Sequence, residues 1–198
     1  MADVLNRQTL ELKRSVNTPD YPESEWVINP DLTITQTVPW DCLRLVGDRL
    51  VEFSPEEKSV VNSNKLAELR LKYLSIVNSA CEEYIIKGPG VEFPVGSGKR
   101  LSVSTNAQIK WMGWVGIADQ WEAMGMSYPF KVRTVDDSDF VEINNADDVR
   151  MVFALMAQFI AAVLGFSEIV KSEIILATTI EQIIMITDAY LVTVPLRE

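Results

Sequence analysis

The sequence predicts an α+β fold, mainly helical, and three features predict it. Long runs keep apolar residues at three-to-four spacing between capped starts and glycine or proline stops. Two short strand-like pairs flank turn residues. The first forty residues lack helical periodicity and carry prolines at 19, 22, 30 and 39. The resulting layout is an extended N-terminal arm over 1–40, then a mainly helical domain over 41–198. That domain should hold two small β-hairpins and three to four helices, one of them long and apolar.

Each element has a local reason. Proline fixes φ and disfavours helix in the residue before it, so 1–40 should run as extended chain with turns. Tyr21, Trp26 and Trp40 are costly to leave in water, which makes the arm a candidate docking strap on its own domain or on a neighbouring subunit. Leu43–Val46 and Arg49–Phe53 flank Gly47-Asp48, a two-residue hairpin signal. Ser54-Pro55-Glu56-Glu57 starts a helix, with Ser54 and Glu57 as a capping box and Pro55 at the first helical position. The helix should stop at Gly88-Pro89-Gly90, with Leu66, Leu69, Tyr73, Val77, Ala80 and Tyr84 as one buried stripe.

Residues 91–103 read as strand-like. Ser104 or Thr105 opens a second helix closing near Gly125, and 129–135 with 140–143 form the second hairpin. Asn145 caps a third helix reaching Ala177, with Asp147 and Asp148 near its positive end. Thr179 and Gln182 make another capping box before a last apolar helix from Ile180 to about Leu191.

The composition excludes several function classes. With 28 acidic and 18 basic residues the net charge is −10, and the densest basic run is Lys99-Arg100. Nucleic acid and anionic membrane surfaces would repel such a chain. There is no histidine, so the commonest general base and zinc ligand are missing. Cys42 and Cys81 are too few for a disulfide framework and read as reduced thiols in a cytoplasmic fold. Met1 to Leu5 shows no signal-peptide pattern. The apolar stretch Met151–Phe166 is 16 residues long, against the ~20 of a spanning helix. It reads as a helix buried in a bundle or oligomer, without membrane insertion.

Candidate chemical motifs fail on their spacing. In Gly96-Ser97-Gly98-Lys99-Arg100 a phosphate loop would need glycine where Phe93 stands and Ser or Thr where Arg100 stands. Around Asp136, Asp137 and Asp139 an EF-hand would need glycine at its sixth position and Glu at its twelfth. Neither register supplies them: Val141 and Asp147 stand there in one, Glu142 and Asp148 in the other. There is no G-x-S-x-G or S-x-x-K signature. The chain is therefore expected not to be an enzyme and to need no cofactor or metal. Trp111 and Trp114 share a helix face, to which Trp121 nearly returns, as core, subunit interface or sugar-stacking surface. Phe153, Met156 and Ile160 on the long apolar helix complete the candidate interface residues.

Six stretches stand out together: Ser15-Val16-Asn17-Thr18-Pro19-Asp20-Tyr21-Pro22, Trp26-Val27-Ile28-Asn29-Pro30-Asp31-Leu32, Val38-Pro39-Trp40, Ser54-Pro55-Glu56-Glu57-Lys58, Asp139-Phe140-Val141-Glu142-Ile143 and Ala177-Thr178-Thr179-Ile180. Over nearly the whole chain they resemble a family of phage and prophage tail proteins, whose members carry a helical domain of unassigned function and are found near tail-fibre genes. The resemblance implies a structural virion protein of the tail, made in the host cytoplasm: a fibre, fibre-anchor or baseplate-peripheral subunit. Its partners would be other tail proteins and copies of itself, a trimer being common in phage fibres. The alternatives are a fibre assembly chaperone absent from the finished particle, and a receptor-binding tail protein. The family has no established catalytic residues to carry over.

Overall fold

A computed structural model describes residues 1–194, apart from the side chain of Glu122. The fold is α+β and mainly helical, as its sequence predicts. The chain divides into two compact units, Met1–Glu68 and Leu69–Glu198.

In the first unit the expected extended arm is corrected. Strands β1 (Ala2–Asn6), β2 (Leu12–Val16) and β3 (Trp26–Ile28) form an antiparallel sheet in the order β2-β1-β3. Leu5 pairs with Val27, and Asn6 with Trp26. The side chain of Asn6 closes the first turn, its Oδ1 accepting from the amides of Gln8 and Thr9 at 2.9 Å. Asp3 Oδ1 accepts from the amide of Ser15, which sits at positive φ. These side-chain bonds hold local geometry that hydrophobic periodicity does not report.

The hairpin of β4 (Leu43–Val46) and β5 (Arg49–Glu52) forms as expected, turning at Gly47 with φ +63. Leu5, Val27, Val38, Cys42, Leu43 and Leu50 make one core beneath both sheets. Arg7 reaches the hairpin turn, pairing with Asp48 at 2.7 Å. The residues of 1–40 thus bury their own apolar surface instead of holding it out.

Helix α1 (Pro55–Lys87) starts with the predicted box: Ser54 Oγ accepts from Glu57 N, and Glu57 Oε2 accepts from Ser54 N. Its expected stripe is buried at Val77 and Ala80 and half-buried at Leu66, Leu69, Tyr73 and Tyr84.

The second unit contains two further hairpins, β6 (Val91–Glu92) with β7 (Arg100–Leu101) and β8 (Phe130–Arg133) with β9 (Phe140–Ile143). Val135 N donates to Arg100 O at 2.8 Å and links them. Gly90 has φ +72 where a Cβ would press into the Leu101 carbonyl, so this crossing needs glycine. Helix α2 (Thr105–Ile117) is capped by Ser104 and ends earlier than expected, giving way to 3₁₀ turns over 118–120 and 122–124 before Gly125.

Helix α3 (Ala146–Leu176) begins at its predicted cap, Asn145 accepting from Asp148 N at 2.9 Å. Helix α4 (Ile180–Thr193) follows, with Thr179 and Gln182 bonding reciprocally. Val91, Phe93, Leu101, Val103, Trp111, Val141, Ile143, Val149, Val152 and Met156 form the core of this unit. The C-terminal part of α1 meets α3 where Cys81 Sγ approaches Val163 O at 4.0 Å and Tyr84 faces Phe159. Phe166 and Tyr190 join α3 to α4.

Candidate interaction surface

Helix α3 is apolar almost all round, and a helix of that kind must be covered on more than one side. Its covered side is Val149, Val152, Met156, Val163, Ser167, Val170 and Ile174, a three-to-four spacing over seven turns once half-buried Phe159 and Ile160 bridge Met156 and Val163. The other side is bare. Leu164 is 46% exposed, Ile169 59% and Leu176 78%, and Met185 and Val192 on α4 are exposed too. Ala154, Ala157, Ala161 and Gly165 lie exposed between the large side chains. By length and composition α3 is also long and apolar enough to cross a membrane, with 22% of its most apolar stretch buried. The uninterrupted apolar stretch Met151–Phe166 is shorter than a span, but the helix continues past Glu168, Lys171 and Glu173 to Leu176 and reaches spanning length.

The candidate interface residues divide. Trp26, Trp111 and Met156 are corrected from interface to core: each is at least 92% buried within this chain. Trp26 pairs over one strand end and is met edge-on by Tyr21 at 5.0 Å, with Lys13 over both rings. Phe153 and Ile160 pack half-buried against the second unit's core. Trp40 is 39% exposed and remains open to a partner. The exposed residues at 164, 169 and 176 escaped selection because a helix apolar on most of its surface gives only a weak phase to mark its outer face.

The tryptophans of α2 belong to an aromatic cluster. Trp114 is half-buried and meets Trp111, Trp121 and Phe130 at 4.9, 6.0 and 5.1 Å between ring centroids, all edge-on. Trp121 stacks on Phe130 and Tyr128. Lys110 Nζ sits 5.5 Å from the Trp114 ring. Such contacts each add about 0.5–1.5 kcal/mol beyond burial, so the cluster braces α2 against β8.

The acidic turn after β8 holds its own carboxylate. Asp136 accepts from Thr134 Oγ1 at 2.6 Å and from Ser138 Oγ at 2.7 Å. These bonds pull the Asp136 pKa down to about 2, favouring a charged group that shapes the turn. Among the described residues no three His, Cys, Asp or Glu side chains gather where a metal ion could bind. Tyr190 is 1% exposed, and desolvation pushes its pKa up to about 12. Its hydroxyl lies beside Ser167 and Cys81, and neither the Tyr190 nor the Ser167 oxygen completes a hydrogen bond of good geometry.

The chain matches no family model, no curated protein and no solved structure.

Proposed function

We propose that this protein is a structural component of a bacteriophage tail, a fibre, fibre-anchor or baseplate-peripheral subunit that works through protein–protein contacts. The observation that carries the reading is the bare apolar side of α3 and α4, with Leu164, Ile169, Leu176, Met185 and Val192 in water. Apolar rows of this extent mark interaction surfaces. The sequence likeness to phage tail proteins supplies the setting. A second copy of the chain, closed by symmetry, and neighbouring tail proteins are the partners.

A second reading has one observation in its favour: α3 meets the length and composition of a membrane-crossing helix. In that reading lipid covers the same bare side.

Quantitative mass spectrometry of purified virions, with carbonate extraction of infected-cell membranes alongside, tests both. A stoichiometric virion signal in a multiple of three or six supports the tail subunit. Absence from particles, with expression in infected cells, sinks it and leaves the assembly factor. Retention in carbonate-washed membranes with no virion signal selects the membrane reading.

A further inference from the structure

In a chain with ten more acidic than basic residues, one cleft has the opposite character. It opens between α2 and β8 with a volume of about 380 Å³, and among the described residues no carboxylate lines it. Asn106, Lys110 and Trp114 come from α2; Lys131, Val132 and Arg133 come from β8.

The three strand residues are consecutive. Side chains on a strand alternate between faces, so a cleft lined by all three runs along the strand's edge. Strand β9 occupies one edge of β8. Just past the strand, Val135 N donates to Arg100 O of β7 at 2.8 Å and closes the other edge there; along Lys131–Arg133 that edge pairs with no strand among the described residues. A free edge offers backbone N–H and C=O groups that an incoming extended chain can pair.

The side chains define what such a chain should carry. Lys131 and Arg133 lie on the exposed face of β8, bridging Glu142 at 3.3 Å and Asp137 at 3.6 Å in open solvent. Such exposed pairs exchange partners readily. Lys110 stands on the opposite wall over Trp114. Val132 and the Trp114 ring line the cleft between these cations. Acidic side chains on an added strand would meet Lys131 and Arg133 across the pairing, and the alternate side chains would face Val132 and Trp114.

We propose that this cleft takes an extended acidic segment of a partner protein as an added strand on β8. The proposal stands on the cleft itself and not on the tail assignment. The test titrates the full chain with an N-acetylated, C-amidated octapeptide alternating glutamate and threonine, read by amide and indole NMR shifts. Saturable shifts at Lys131, Val132, Arg133 and the Trp114 indole are expected. Binding should weaken about tenfold or more in a Lys131→Glu, Arg133→Glu variant whose circular dichroism matches the parent, because complementary charge is lost. It should also fail for a peptide N-methylated at alternate residues, a control that needs no protein variant. No saturable binding, or equal binding of the N-methylated peptide or of one with lysine in place of glutamate, overturns the proposal. Binding of an oligogalacturonate in place of the peptide overturns it in favour of an acidic glycan.

Discussion

The two halves of α3 have similar apolar composition and different surroundings. From 146 to 160 the inner side chains Val149, Val152 and Met156 enter a core built with Trp111, Val141 and Ile143. The outward positions there are mostly small or polar, Ala154, Ala157 and Gln158, with Met151 the one large apolar side chain exposed. From 161 to 176 the inner side rests on the C-terminal part of α1 and on α4, through Val163, Ser167 and Val170. Its outward positions include Leu164, Ile169, Ile175 and Leu176, all exposed. One half is completed by its own chain; the other is completed on one flank only. The comparison separates what holds the fold from what is left for a partner.

The largest effect should come from the completed half. Trp111 is 2% exposed and central to its core, so Trp111→Ala should cost about 3–5 kcal/mol in denaturant unfolding. A cost within the range of surface substitutions would break the distinction between the halves.

Next in size is a pH effect on the inner side of the second half. The Tyr190 pKa is raised to about 12 by burial, above the ordinary tyrosine value of about 10. The folded state therefore holds the phenol proton that the unfolded state gives up first. This contribution is fully present below about pH 10 and is lost as pH rises toward 12. Tyr190→Phe should flatten the alkaline loss of stability, followed by thermal melts from pH 8 to 12. It also removes a hydroxyl that lacks a good partner, so the neutral-pH cost should be small. An unchanged alkaline limb would show that Tyr190 titrates as freely in the folded chain as in the unfolded one.

The smallest effect on stability, and the sharpest on assembly, belongs to the bare row. Ile169→Ser with Leu176→Ser should leave unfolding of the isolated chain within about 0.5 kcal/mol per site. Sedimentation should then show a shift toward monomer, as the proposed self-association through this face requires. An unchanged sedimentation profile would remove this face from the oligomer contact.

Much of the helical part was legible in advance because its signals are local. Ser54 with Glu57, Asn145, and Thr179 with Gln182 cap helices within three residues of themselves, and the structure forms each of these bonds. Gly47-Asp48 likewise set the register of its hairpin from within. The N-terminal sheet was not legible. Its prolines read as extended chain, whereas β1 must find β3 some twenty residues later, pairing Leu5 with Val27. The strands are short, and the turns rest on side-chain bonds from Asn6 and Asp3. Trp26 and Trp111 looked like interface anchors because an aromatic side chain suits a core and an interface equally.

By itself the amino-acid sequence determined the α+β class, the starts of the long helices, the hairpin at Gly47-Asp48 and the excess of negative charge, since each follows from neighbours a few residues apart or from composition alone. Tertiary structure decided that residues 2–28 close into a sheet, that Trp26, Trp111 and Met156 are core, and that α3 turns Leu164, Ile169 and Leu176 outward. The physical reason is the same in each case. Strand pairing and helix covering depend on contacts between distant segments, and a helix apolar on most of its surface only weakly encodes which side its own chain will cover.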